Sequence, residues 1–219
     1  MSLNLEQARF NMVEQQVRTW EVLDPHVLDV LRDVPREDFV PSRYRKLAFA
    51  DLRIPLGHGQ VMMKPLEEGR MLQALGLQEG QRVLEIGTGS GFTAACLSAL
   101  GGEVVTVDIH ADLSESAASR LQRLGFDGVR CDSADVLGDY RPDAPFDVVV
   151  LTASAATIPA RLKEWVKPGG RLFGVHGHGP AMEAICLHQL GPDRWHVDSL
   201  FETDLPRLIG AEDKIQFEF

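Results

Sequence analysis

The chain has 219 residues, 44% apolar and 25% charged, which suits a globular protein with one sizeable core. A formal net charge of −10 disfavours non-specific attachment to DNA, RNA or an anionic membrane, and the local basic cluster Arg43, Arg45 and Lys46 reads as a solvated face. Cys96, Cys131 and Cys186 fit neither metal nor disulfide spacing, "MSLNLEQARF" lacks the pattern of a secretory signal, and no apolar run suffices to span a bilayer, so a cytoplasmic protein is expected.

Apolar residues at 5, 8, 12, 13, 17 and 20 predict a helix from Leu5 to Trp20. Asp24 before Pro25 reads as an N-cap, opening a second helix with Val27, Leu28, Leu31 and Val34 on its apolar face. The prolines of "VPREDFVP" punctuate its end. Residues 41–64 read as irregular, with an extended piece around "LAFADLRIPL". Pro65 starts "PLEEGRMLQAL", with Leu66, Leu72 and Leu75 inward, Glu67 and Glu68 in the acidic first turn, and Gly76 near the end.

Beyond about residue 80 the pattern alternates. Strands are predicted at 82–86, 103–109, 128–131, 146–153 and 171–175, with helices over "GFTAACLSAL", "ADLSESAASRLQRLG" and "IPARLKEWV" and a "KPGG" turn at 167–170. "FDVVVLTA" is apolar enough to be buried on both faces. "EAICLHQL" and "RWHVDSLF" form an antiparallel pair joined by "GPD". Strands alternating with helices imply an α/β fold with a mostly parallel sheet, on which residues 1–76 form a helical cap and acceptor loop while 77–219 form the cofactor-binding core of one domain.

"VLEIGTGSGF" follows a strand and opens a helix, where an α/β sheet receives a nucleotide-like ligand. Gly87, Gly89 and Gly91 suit a tight turn and close backbone approach; Thr88 and Ser90 lie between them. The third glycine comes one residue earlier than in G-x-G-x-x-G, which disfavours an NAD-dependent oxidoreductase. Glu85 beside the loop suits a cationic ligand end, and S-adenosylmethionine has a sulfonium, an ammonium and no phosphate. Asp108 stands about twenty residues on, where an acid accepts both ribose hydroxyls; capping the next helix is its structural alternative. Ile109 suits an adenine face, and Asp135 or Asp132 the adenine amino group.

The glycine loop together with "MVEQQVRTWEVLD", "VPREDFVP", "PLGHGQ", "PFDVVVLTASAATIP" and "VKPGGRLFGV" resembles the protein-L-isoaspartate O-methyltransferase family over roughly residues 8 to 177. The resemblance implies a Rossmann-like, seven-stranded methyltransferase sheet, S-adenosyl-L-methionine as donor, and a protein or peptide carboxylate as acceptor, with a small molecule as the alternative. By position it places Glu85, Gly87 and Gly89 around the methionyl end, Asp108 on the ribose and Asp135, ahead of Asp132, near the adenine. It also sets residues 60–63, including Val61 and Met62, against cofactor and substrate.

The acceptor segment departs from the family. Where G-Q-T-I-S-Q-P is usual, this chain reads Gly59-Gln60-Val61-Met62-Met63-Lys64-Pro65, so the family serine is Met63. The resemblance therefore makes Gln60, Met63, Lys64 and His58 the acceptor-loop candidates, with no assigned catalytic residue. Loss of the hydroxyl predicts weak isoaspartyl methylation, with Lys64 replacing the lost donor by a charge or the pocket taking another acceptor; a non-catalytic binding protein is the remaining alternative. Core filler is the less favoured reading of Met62 and Met63. Glu68 is a further candidate to approach the cofactor. His176 and His178 lack an identifiable third ligand, so no metal site is expected. The C-terminal stretch "SLFETDLPRLIGAEDKIQFEF" lacks the family's V-x-F-V-P-L run.

Overall fold

The computed structural model describes residues 4–211; the end of the divergent C-terminal stretch, 212–219, lies outside them, as do residues 1–3. Helix α1 (Leu5–Asn11) runs on through a π-helical turn, Met12–Val17, and a 3-10 turn, Arg18–Trp20. The helix read from the sequence is thus present, but widened at the place where Met12, Val13 and Val17 are buried. In α2 (Pro25–Asp33) the Asp24 carboxylate accepts the His26 amide at 2.8 Å, the expected cap. The proline-flanked segment that follows forms a short helix, α3 (Arg36–Phe39).

Residues 41–64 are more ordered than their sequence implies. A 3-10 stretch, Ser42–Leu47, precedes an antiparallel hairpin of β1 (Ile54–Gly57) and β2 (Gln60–Met62). The reversal uses Gly57, His58 and Gly59, with φ of 112°, 51° and 72°. Strands this short carry too few residues for an alternating pattern to be read. Helix α4 (Pro65–Leu75) follows and ends at Gly76, with Leu66, Met71, Leu72 and Leu75 buried.

The remaining elements alternate: β3 (Arg82–Ile86), α5 (Phe92–Ala99), β4 (Glu103–Asp108), α6 (Ala111–Arg123), β5 (Arg130–Ser133), β6 (Phe146–Ala155), α7 (Ala160–Glu164), β7 (Val166–His176), β8 (Met182–Gly191) and β9 (Arg194–Thr203). They form a seven-stranded sheet in the order β5-β4-β3-β6-β7-β8-β9, parallel from β5 to β7 and antiparallel thereafter. Strand β5 starts later than expected because the Val129 amide closes a turn onto the Phe126 carbonyl. The "KPGG" turn lies inside β7, where the pairing with β6 slips between Val166 and Arg171.

Successive residues of β6 serve opposite faces. Val148 and Val150 join the apolar cluster shared with the N-terminal helices, whereas Val149 and Leu151 join the cluster containing Leu162, Trp165 and Leu172. The N-terminal helices thereby cover one face of the sheet rather than building a separate core.

Arg36 fastens that cover. It is 0% exposed; Nε donates to the Ala48 carbonyl at 2.8 Å, Nη2 donates to the Met63 carbonyl at 2.7 Å, and Nη1 pairs with the Glu68 carboxylate. Its cationic carbon lies 4.7 Å from the centre of the Phe92 ring. Replacing Arg36 by alanine strands a buried carboxylate and two carbonyls, with an expected loss of about 3–5 kcal/mol in urea-unfolding free energy. A loss under about 1 kcal/mol would remove this pair from the causes of stability.

Candidate active site

A crevice opens at the carboxyl ends of β3, β4 and β6, where connections leave the central strand β3 in both directions. Gly87, with φ of 101°, ends β3; a Cβ there would collide with the Thr152 hydroxyl. At Gly89, with φ of 50°, a Cβ would stand 3.0 Å from Leu56. Both positions therefore require glycine for conformation and for proximity to the opposite wall.

Asp108, at the end of β4, holds this loop in place. Its carboxylate accepts the Gly89 amide at 2.9 Å and the His110 amide at 2.9 Å, and it lines the crevice. His110 occupies the cap position of α6, so the capping alternative for Asp108 is not what forms.

Glu85 differs from the sequence expectation. Because side chains alternate along β3, Glu85 shares a face with Val83, beneath the glycine loop, and does not line the crevice. It is 0% exposed and accepts the Thr106 hydroxyl at 2.6 Å. This leaves the Thr88 hydroxyl to donate to Thr106, at 2.7 Å. Glu85 Oε1 has no hydrogen-bond partner among the described residues. Burial pushes the Glu85 carboxyl up to about 8, opposed by the Thr106 bond and reinforced by the charges of Asp108 and Glu68.

Leu56, Gln60 and Val61 of the hairpin face Ile109, His110 and Asp135 across the crevice. Asp135 Oδ1 accepts the Leu137 amide at 2.8 Å, whereas Asp132 pairs with Arg130 and does not line the crevice. A smaller cavity adjoins, sharing Leu56, Val61, Gly87, Gly89 and Thr152 and bounded by Met62, Met63, Glu68, Thr88, Ser90 and Thr93. Met62 and Met63, each 4% exposed, belong to the core as well as to this wall, which corrects the reading against core filler. Glu68 is 2% exposed; burial raises its carboxyl above the usual range, and Arg36 pulls it down. Since a guanidinium does not release its proton, Arg36 remains beside Glu68 as its countercharge.

Besides Glu85, three expected site residues line neither cavity. Gly91 caps α5 and packs against Ala117 and Leu121. Lys64 caps α4, its amide donating to Glu67 Oε2 at 3.1 Å, and lines neither cavity. His58 sits at the hairpin tip, with Nε2 2.9 Å from an Asp112 oxygen and its ring stacked 4.1 Å from that of His110. The hairpin is thereby tied to the start of α6 across the crevice mouth.

The family profile described as protein-L-isoaspartate(D-aspartate) O-methyltransferase matches residues 7–178. The chain belongs to this family. Relatives named protein-L-isoaspartate O-methyltransferase include one from Rhodopseudomonas palustris strain HaA2, 38% identical over 93% of this chain and 84% of its own length. Another, from Magnetococcus marinus, is 36% identical over 94% of this chain and 90% of its own. Among solved structures, a Plasmodium falciparum protein named for the same activity and bound to S-adenosyl-L-homocysteine superposes with a TM-score of 0.79 at 16% identity, covering 94% of this chain and 99% of that one. That likeness concerns the fold.

In this member of the protein-L-isoaspartate O-methyltransferase family, Val61, Met62 and Met63 stand with the glycine loop around one cavity. Among the contributors that escaped the sequence reading are Thr152, Arg207, Leu208 and Ile209, which all line the crevice. Thr152 was hidden in the apolar run of β6, although a hydroxyl at the end of such a run was a usable signal. Residues 207–209 carry no periodicity.

Glu85 gives a testable pH dependence. Below its ordinary value of 4.5, folded and unfolded chains both carry the proton; between 4.5 and about 8 only the folded chain keeps it, so this group makes stability fall as pH rises. The melting temperature of the unliganded protein is expected to drop from about pH 5 to pH 8, and Glu85→Gln to flatten that drop. Parallel profiles for the two proteins would contradict the shift.

Proposed function

We propose that this chain transfers the methyl group of S-adenosylmethionine to the carboxylate of an isoaspartyl residue in a protein or peptide. The observation that carries this is the shared cavity: the glycine loop and the acceptor loop, through Gly87, Thr88, Gly89 and Ser90 on one side and Val61, Met62 and Met63 on the other, bound the same space. The donor set fits the cofactor's charge. Asp108 and Asp135 line the crevice, which suits a sulfonium and an ammonium better than a pyrophosphate. The two glycines of the loop, where a Cβ would meet the opposite wall, support the same reading.

In this reading Asp108 holds the ribose, Ile109 and Asp135 flank the adenine, and Glu68, Thr88 and Ser90 surround the methionyl end. Glu85 acts from beneath, fixing the loop through Thr106 and Thr88. When bound, S-adenosylmethionine supplies an electrophilic methyl: a bond forms from carboxylate oxygen to the methyl carbon while the sulfur–methyl bond breaks, its electron pair staying on sulfur. A carboxylate is already ionised near neutral pH, so the chain needs no general base. Its task is to hold the oxygen in line and exclude water, and effective molarity from such positioning lowers a barrier by several kcal/mol. Val61, Met62 and Met63 supply the apolar wall for that exclusion.

Residues 1–76 serve as cap and acceptor loop for the core formed by 77–219, working as one unit. The free thiols Cys96, Cys131 and Cys186 suit the cytoplasm, and the net charge of −10 suits neither nucleic acid nor an anionic membrane as partner. Met63 favours a second reading, in which the transferase acts on another carboxylate, because it removes a hydroxyl from the acceptor wall.

Labelled methyl transfer to an isoaspartyl peptide tests the proposal. We expect slow turnover by the natural chain and a gain of about 5- to 100-fold in kcat/KM for Met63→Ser, the effect of restoring one hydrogen bond to a charged acceptor. Asp108→Ala is expected to weaken cofactor binding in a calorimetric titration. Turnover by the natural chain equal to that of Met63→Ser would remove the role given to Met63, and absence of cofactor binding would remove the proposal.

A further inference from the structure

The wall that faces the glycine loop is carried by a hairpin with little support of its own. β1 and β2 form a two-stranded sheet separate from the seven-stranded one, and a hairpin of that kind is marginally stable in water. Its tip is tied through His58 to Asp112, and both side chains of that pair are exposed to solvent, where an ion pair contributes little. Holding Val61, Met62 and Met63 in place therefore depends on the base of the hairpin.

The base closes on one carboxylate. Glu67, 4% exposed, lies in the first turn of α4. Its Oε2 accepts the amide of Lys64, just after the hairpin, at 3.1 Å. Its Oε1 accepts Nη2 of Arg53, the residue before β1, at 2.8 Å, and the hydroxyl of Thr203, the last residue of β9, at 2.6 Å. Arg53 Nη2 also donates to that hydroxyl at 2.8 Å, so the three side chains form a closed triangle. Helix capping accounts for the Lys64 bond alone and requires no partner 136 residues away. The two stretches in which the sequence departs from the family pattern, the acceptor segment and the C-terminal stretch, thus meet at Glu67 through Lys64 and Thr203.

We infer that Glu67 is a positioning residue for the reaction: with Arg53 and Thr203 it clamps both stems of the hairpin to the end of β9 and sets the wall of Val61, Met62 and Met63 against the glycine loop. Glu67, Arg53 and Thr203 line neither cavity, so they act through that wall. The inference rests on the proposed methyl transfer, in which Met63 offers the acceptor no hydrogen bond and the shape of the wall orients it.

The test compares the natural chain with Thr203→Val, which removes both bonds of the hydroxyl at nearly constant shape, and with Thr203→Ser, which keeps them. Methyl transfer to an isoaspartyl peptide is measured at saturating S-adenosylmethionine, with calorimetry for the cofactor Kd and hydrogen exchange by NMR for residues 60–64. Thr203→Val is expected to lower kcat about 5- to 20-fold, to leave the cofactor Kd within about twofold, and to speed exchange in 60–64 while β3 and β6 keep their protection. Thr203→Ser is expected to stay within about twofold of the natural chain in kcat and Kd. A purely structural bond lowers the melting temperature and leaves kcat unchanged, so an unchanged kcat in Thr203→Val overturns the inference. If that variant does not fold, the natural chain decides: exchange of the Lys64 amide slowed more than about 100-fold relative to an unstructured chain supports the clamp, and less than that overturns it. Cofactor binding without transfer to any isoaspartyl peptide brings down the proposed methyl transfer, and this inference with it; transfer that Thr203→Val leaves unaltered brings down this inference alone.

Discussion

A single buried guanidinium joins the parts that must meet for this site to exist. Arg36 comes from the short helix α3, within "VPREDFVP", yet its bonds go to the loop at Ala48, the segment at Met63 and the α4 carboxylate of Glu68, with Phe92 of α5 beneath it. Each contact belongs to a different element, so the N-terminal cap cannot shift without moving the wall that faces the glycine loop. A buried ion pair adds little net stability compared with an apolar replacement of the same shape, because both charges lose their water. Its contribution here is to register: a guanidinium with three directed bonds fixes position where apolar packing alone tolerates sliding.

The opposite wall is fixed by carboxylates. Asp108 ties Gly89 to the end of β4 from the side, and Glu85 supports Thr88 through Thr106 from below. Together they set a loop whose glycines leave no space for side chains. Concentrating acids here suits a cationic donor.

Much of the architecture was legible in the sequence because it follows from periodicity and end signals. Asp24-Pro25, Pro65 and Gly76 marked helix ends, the β6 run showed a strand buried on both faces, and the glycine loop located the crevice. The hairpin was not legible, since its reversal depends on three consecutive left-handed residues, including His58, between very short strands. Glu85 and Glu68 show a different difficulty. Both were expected near the donor, but strand alternation sends Glu85 under the loop while helix geometry brings Glu68 to the cavity wall. The central role of Arg36 left no trace in patterning, because a buried arginine looks in sequence like any solvated one. Arg207 lies in a segment placed by tertiary bonds to Ser154 rather than by local preference.

The most direct measurement is a crystal structure of the chain with S-adenosyl-L-homocysteine and an isoaspartyl peptide bound together. The expected result has the ribose hydroxyls on Asp108, the amino-acid end beside Glu68 and Met63, and the peptide carboxylate in the cavity bounded by Val61, Met62 and Met63. A nucleoside bound elsewhere on the sheet, or a peptide carboxylate seated away from that cavity with the nucleoside in the crevice, would contradict it.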